Sequence, residues 1–120
     1  HLLGQSDTAL ECLDRAVGIL TRLDDDRCIA YTLVRAGQIH VDRRDVVRAQ
    51  MSLTGAATLF RRHSTRGDEA ECWRLLAQLE AEAGDVAAAS AYLTRTAELW
   101  RSIGADEQAD EAEAALRALA

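Results

Sequence analysis

The chain has 120 residues, of which 48% are apolar but only 4% aromatic, and it contains no proline. Its formal net charge of −6 argues against a nucleic-acid-binding surface, since such surfaces gain most of their affinity from clustered Lys and Arg. No apolar run of about 18 residues could span a bilayer and no secretion signal opens the chain, so we expect a cytosolic protein without nucleic-acid or membrane partners.

The sequence repeats itself with a period of 40 residues. The matching positions are Ala9, Ala49 and Ala89; Leu13, Leu53 and Leu93; and Leu20, Phe60 and Trp100. A fixed period of this size is typical of stacked repeats, in which each unit has an apolar face that a neighbour must cover. The sequence therefore predicts an all-α domain over residues 1–120, built as an α-solenoid of stacked antiparallel helical hairpins.

Six helices are predicted from apolar residues at i, i+3, i+4 and i+7 spacing. They cover residues 5–23, 27–41, 45–63, 68–83, 86–103 and 106–119. The three aspartates at residues 24–26 end the first helix and supply an N-cap for the second. Gly84 suits a left-handed C-cap of the fourth helix, and Asp85 is expected to cap the fifth.

The repeat frame also predicts the internal divisions of the domain. A partial repeat covers residues 1–24, two full repeats cover 25–64 and 65–104, and a C-terminal capping helix covers 105–120. Because the chain starts at His1 and enters the frame partway through a repeat, we expect it to be a fragment of a larger protein.

The hairpins resemble tetratricopeptide repeats (TPRs), in the longer variety of about 40 residues known from kinesin light chains and many bacterial regulators. The first-helix pattern of the family is matched by Trp73, Leu76 and Ala77, and by Leu33, Ala36 and Gly37. Its second-helix signature is matched by Ala9 with Leu13, Ala49 with Leu53, and Ala89 with Leu93. The chain departs from the family at His40 and Glu80, where an aromatic is usual, and at Arg44, where a glycine is usual. A HEAT-like array is the alternative solenoid.

The resemblance implies a right-handed superhelix whose concave groove, lined by the first helix of each hairpin, binds a peptide or a partner helix. The polar residues of those helices that point away from the apolar stripe form the candidate site: Tyr31, Arg35, Gln38, Asp42, Glu71, Arg74, Gln78 and Glu82. Arg35 and Arg74 could hold a carboxylate, while Gln38 and Gln78 could bond a peptide backbone. The competing interpretation is that these residues form ordinary solvated helix faces.

The sequence therefore predicts a protein- or peptide-binding module, the interaction or regulatory part of a larger cytosolic regulator or adaptor. One alternative is a structural spacer or self-association module, which the thin alanine-rich face of the last helix favours. Another is the peptide-sensing arm of a bacterial transcription activator. No catalytic residues, cofactor or metal are predicted, because the sequence contains no phosphate-binding glycine loop, calcium loop, HExxH or CxxC.

The histidines and cysteines are interpreted as structural residues. His40 takes the place of a core aromatic, and His63 stands one period from Leu23 and Ile103, so we expect both histidines to pack among apolar groups. The cysteines have no metal-site spacing, and we expect them to be reduced and mostly buried. They are Cys12, Cys28 and Cys72.

Overall fold

The computed structural model describes residues 3–119, and over that range the chain forms six α-helices and no strand. The helices are α1 (Leu3–Arg22), α2 (Asp26–Asp42), α3 (Val46–Arg62), α4 (Arg66–Glu82), α5 (Val86–Ser102) and α6 (Asp106–Leu119). Consecutive helices pack against one another in antiparallel order, and α2 also contacts α4. The all-α solenoid is thus confirmed.

A common turn design makes the helices follow one another at a constant interval. Each turn has one residue with positive φ, and these residues are Asp24, Arg44, Ser64, Gly84 and Gly104. The amide of the next residue donates to a carbonyl five residues back, at 3.0 Å from Asp25 to Leu20 and at 2.8 Å from Thr65 to Phe60. This is the Schellman C-cap, which satisfies carbonyls that a helix end would otherwise leave unpaired. Arg44 therefore adopts the left-handed conformation that glycine has elsewhere in the series.

The helix starts are fixed by aspartate N-caps. The side chain of Asp25 accepts a hydrogen bond from the amide of Cys28 at 3.2 Å, and Asp85 accepts from Ala88 at 3.0 Å. Asp45 caps α3 in the same way. Such a side chain pairs one of the free amides of the first helical turn, so the predicted capping roles at residues 24–26 and at Asp85 are confirmed.

The core follows the 40-residue frame because small residues lie where helices cross. Ala49, Leu53 and Ala89 are all 0% exposed. A Cβ added at Gly37 would come within 2.6 Å of the Leu53 side chain. The backbone of α2 can therefore lie this close to α3 only because Gly37 has no side chain. His40 is buried, as predicted.

Two other packing predictions are wrong. Cys72 is buried, but Cys12 and Cys28 are exposed because they lie off the apolar stripes of α1 and α2. The His63 side chain is 41% exposed, and its Nε2 lies 3.0 Å from Asp26 Oδ2 on the surface. Leu23 and Ile103, one period away, are exposed as well. This position of the frame lies in the turn after a helix, where the helical stripe has ended, so apolar side chains there are not drawn inward.

Candidate functional site

The eight polar residues predicted to form a site lie on α2 and α4. All are exposed except Glu71, which is half-buried: they are Tyr31, Arg35, Gln38, Asp42, Glu71, Arg74, Gln78 and Glu82. Contact between α2 and α4 places both sets on neighbouring helices. Their individual contacts show which of them have already found partners within the chain.

On α2, Tyr31 connects the two repeats. Its hydroxyl donates to Asp68 Oδ2 at 2.7 Å, and its ring meets Phe60 edge-on with the centroids 5.2 Å apart. Arg35 does not stand in the same register as Arg74, because the residue 40 positions after Arg35 is the buried Leu75. The two arginines that were expected to share a carboxylate therefore occupy different places on their helices.

On α4, the charged residues are bonded to each other. Arg74 Nε and Nη2 donate to the two carboxylate oxygens of Glu71 at 3.0 and 2.9 Å, and this pairing raises the pKa of Arg74. Gln78 donates to Glu82 at 3.3 Å, and Glu82 is also 2.9 Å from Arg44. Because Arg74 already holds a carboxylate in the bidentate geometry that guanidinium favours, it is poorly placed to bind a second one.

Glu71 and Arg74 form part of the wall of a cavity of about 370 Å³ between α4 and α6, with α5 beneath it; we call it the α4–α6 cavity. It is lined by Glu71, Arg74, Leu93, Thr96, Trp100, Gln108, Glu111, Ala112 and Ala115. The floor is mainly apolar, with Thr96 as its polar member, and the rim is polar, which is the usual construction of a binding pocket. Glu111 acts on Arg74 through its charge, so the rim has two carboxylates for one guanidinium and a negative excess.

A second cavity, of about 750 Å³, lies between α3 and α5 over the start of α4. Its buried floor is Glu69, which is 2% exposed and accepts hydrogen bonds from Arg61 at 2.9 Å and from Trp73 Nε1 at 3.0 Å. Arg95 lies over the Trp73 ring, 5.1 Å from its centroid. This network was not predicted from the sequence, since a glutamate in the first turn of a helix looks like an ordinary dipole partner and only the packing shows that it is buried.

Residues 3–119 contain neither a metal-binding cluster nor a membrane-spanning helix. No group of three or more His, Cys, Asp or Glu side chains in that range is arranged to hold a metal ion. None of the helices described there has both the length and the hydropathy needed to cross a membrane.

Comparison with known proteins identifies the family. A family model described as "SNAP: Soluble NSF attachment protein, SNAP" matches residues 3–106, which is most of the chain. Neither a curated protein nor a solved structure matches. SNAP proteins belong to the TPR-like helical-repeat superfamily and are generally protein-interaction modules, so the resemblance to TPRs holds at the level of the superfamily. By its repeat architecture and this match over residues 3–106, the chain belongs to the soluble NSF attachment protein family.

Proposed function

We propose that this chain is a protein-binding module that holds a basic segment of its partner in the α4–α6 cavity. The observation that carries the proposal is the composition of that cavity. Its floor contains Leu93 and Trp100, and its rim has Glu71 and Glu111 beside Arg74. A pocket of this kind suits an arginine or lysine side chain, because the alkyl stem can lie on the apolar floor while the cationic head stays at the rim.

Charge balance supports a basic ligand over an acidic one. Arg74 is bonded to Glu71 through both carboxylate oxygens, which leaves Glu111 as the acidic group of the rim without a hydrogen bond to Arg74. The net charge of the whole chain is −6, so the long-range field also attracts cationic segments. The carboxylate ligand expected from Arg35 and Arg74 is accordingly replaced by a basic one in this proposal.

The rest of the binding surface extends over the exposed side of α4 and α2. Gln78, Gln38 and Arg35 are exposed there and offer amide and guanidinium donors to a partner backbone. Tyr31 and Glu82 have a structural role in addition, since each makes a contact that links the two repeats. Affinity would come from a few anchors on a preformed surface.

A display library of random peptides, screened against the purified chain, tests the proposal. We expect selected peptides to be enriched in Arg and Lys, and their affinity to fall as the salt concentration rises. Glu111→Arg reverses the charge of the cavity rim, and it should weaken the selected peptides by more than about tenfold, since charge-assisted contacts contribute about 1.5–3 kcal/mol. Fluorescence polarisation measures both effects.

Glu107→Arg is the matched control. Glu107 is exposed in the first turn of the same helix and does not line the cavity, so the substitution changes the net charge equally. Peptides that bind the two variants equally well, or a selection enriched in acidic residues, would contradict the assignment. Arg35→Glu then tests whether the surface extends to α2.

The proposal also includes the longer TPR variety, the repeat boundaries, a cytosolic location and a place within a larger regulator or adaptor. The 40-residue spacing of the helix starts, 26, 66 and 106 for α2, α4 and α6, supports the longer TPR variety and repeat boundaries at 25–64 and 65–104. The three free cysteines fit the reducing cytosol, where disulfides are rare. A role within a larger regulator or adaptor agrees with a module that binds partners.

Self-association is a second candidate function, favoured by an exposed apolar pair on α3. Val47 is 67% exposed and Met51, one turn later, is 72% exposed. Exposed apolar groups that lie side by side can form the centre of a contact between two copies. Sedimentation equilibrium over a wide concentration range tests this. A mass that rises with concentration, and that Met51→Gln returns to the monomer value, would support it, while a monomer at every concentration would exclude it.

A further inference from the structure

A cavity lies between α1 and α3, above α2. Its volume is about 460 Å³, and its floor includes Leu33 and His40 of α2. Leu13 and Val17 of α1 form one wall, and Ser52 of α3 is part of the other. We call it the α1–α3 cavity. It lies on different helices from the α4–α6 cavity, so a ligand bound in it would be separate from the basic segment assigned to that cavity.

The 40-residue frame shows what fills the equivalent space in the next repeat. Leu33 corresponds to Trp73, and Ser52 corresponds to Tyr92. Those two aromatic rings stack with their centroids 5.6 Å apart and their planes 12° from parallel. Leucine and serine at the same places cannot fill that volume, so the α1–α3 cavity is the space of an absent aromatic pair.

The walls of the cavity are partly open to solvent, because α2 is the one closely packed neighbour of α1 within residues 3–119, whereas α3 packs between α2 and α4. Leu13 and Val17 are half-buried, whereas their counterparts Leu53 and Ala57 are 0% exposed. Burial of apolar surface is favourable by about 25 cal/mol per Å², so this exposed apolar lining is a source of binding energy for any group that covers it.

His40 gives the cavity a specific polar feature. The residue is 8% exposed, and its Nδ1 is a buried side-chain atom without a hydrogen-bond partner among residues 3–119. Burial lowers the pKa of this imidazole, which favours the neutral form with one ring nitrogen free to accept a hydrogen bond. His40 is one of the residues that line the cavity, and buried polar atoms are nearly always paired, so its unpaired Nδ1 is the acceptor that a ligand donor could satisfy.

We propose that the α1–α3 cavity binds a tyrosine or tryptophan side chain of a partner protein, whose O–H or N–H donates to Nδ1 of His40. The stacked pair of the next repeat shows that this position in the frame accepts aromatic rings. Tyr and Trp combine a flat apolar body with one polar hydrogen, which suits the apolar side chains of the cavity together with the unpaired Nδ1 of His40. Charged side chains also line the cavity, and they are Glu11, Asp14 and Arg48. They are also the residues that most often anchor protein interfaces.

Titration of the ¹⁵N-labelled chain with blocked amino acids tests the proposal. The probes are N-acetyl-tyrosinamide, N-acetyl-phenylalaninamide and N-acetyl-leucinamide, and the readout is amide chemical shift. We expect saturable shifts in α1, α2 and α3 at residues lining the cavity, with tyrosine bound about 2- to 10-fold more tightly than phenylalanine, as one hydrogen bond implies. The leucine probe should bind most weakly.

Two variants make the result decisive. Leu33→Trp combined with Ser52→Tyr copies the aromatic pair of the next repeat, and it should abolish probe binding while the chain remains folded. Thr54→Tyr, which adds an aromatic ring on the exposed side of the same helix, is the matched control and should leave probe binding unchanged. His40→Leu should make the affinities for the tyrosine and phenylalanine probes about equal, because the hydrogen bond to the tyrosine hydroxyl is lost. This variant provides an independent test if the double variant does not fold.

Several outcomes would overturn the proposal. They are no saturable shifts with the wild-type chain, equal binding of the leucine and tyrosine probes, or binding that survives the filled cavity. A peptide with one central tyrosine should bind at least as tightly as the blocked amino acid. Much weaker binding of the peptide would mean that the cavity accepts a small aromatic molecule instead of a protein side chain.

Discussion

Two regions of the stack have the same arrangement of helices but differ in the side chains packed between them. We call the region where α1, α2 and α3 meet the first seam, and the region where α3, α4 and α5 meet the second seam. In the second seam Trp73 and Tyr92 stack above a fully buried Leu76. In the first seam Leu33 and Ser52 leave a cavity. The comparison shows that the turns and small crossing residues fix the path of the helices, while the side chains at these two positions decide whether the space between the helices is filled there. The cavity of about 750 Å³ in the second seam lies elsewhere, over the start of α4.

The largest effect on the free energy of unfolding should come from removing the large aromatic side chain of the second seam. Trp73→Ala removes an almost fully buried ring and leaves the buried Glu69 carboxylate with one donor fewer, so we expect the free energy of unfolding to fall by about 3–5 kcal/mol. Leu33→Ala at the equivalent place should lower it by less than about 2 kcal/mol, because Leu33 is half-buried beside an existing cavity. Urea unfolding measures both. Equal losses would mean that the two seams are packed alike.

A smaller effect should show that, in the first seam, α2 and α3 are closely packed and only α1 is loosely packed. Gly37→Ala forces a methyl group to within 2.6 Å of Leu53, so it should lower the free energy of unfolding by about 1–3 kcal/mol. Gly18→Ala in α1 is the control: nothing lies within 4 Å of its added Cβ, and better helix propensity should raise stability by about 0.5–1 kcal/mol. If both variants are stabilised, α2 and α3 do not cross closely at Gly37.

The turns should respond in the same way in both seams. Asp24 has φ of 58° and Ser64 has φ of 57°, and left-handed backbone is unfavourable for residues other than glycine. Asp24→Gly and Ser64→Gly should therefore each raise the free energy of unfolding by about 0.5–1 kcal/mol, less than the full strain because glycine also loosens the unfolded chain. Thermal and urea melts check this. Loss of stability in either variant would show that the side chain at that turn makes a favourable contact.

The smallest effect concerns the pH dependence that His40 gives to the first seam. Burial lowers the pKa of His40 in the folded chain, and the nearby charges of Arg43 and Arg48 act in the same direction. The charge of Asp45 opposes them by acting to raise the pKa. The unfolded chain therefore binds this proton more readily, and the free energy of unfolding should fall as the pH falls below about 6.5.

His40→Gln keeps a polar side chain that does not titrate in this range, so its unfolding free energy should depend less on pH between about 7.5 and about 5.5. Urea unfolding at several pH values gives both slopes. Identical slopes for the variant and the wild type would mean that the His40 imidazole takes up its proton as easily in the folded chain as in the unfolded one.

The periodic features were predictable from the sequence because they depend on local rules. Helix bounds, the caps at Asp25 and Asp85, and the small residues at crossings follow from apolar spacing, turn chemistry and the 40-residue frame. His63 was misread because the frame alone does not show whether a position lies in a helix stripe or in the turn after it.

The contents of the candidate sites were less accessible for a different reason. The sequence places Glu71 and Arg74 one turn apart, yet it does not show that they bond to each other, since Arg74 could equally point to a ligand. The α1–α3 cavity could have been suspected by comparing Leu33 with Trp73 and Ser52 with Tyr92. That comparison has meaning only once it is known that the two helices meet at those positions.

The uniform turns have a consequence for how such a chain could lengthen. Polar links between repeats join residues 36 or 37 positions apart, as in Asp7 with Arg43 and Tyr31 with Asp68, and Asp26 is joined to Arg62 over the same interval within one repeat. A duplicated 40-residue unit, joined at two equivalent turns, would bring with it its own caps and most of the partners for such links. Stepwise duplication could therefore extend the molecule without redesigning the residues on either side of the new copy.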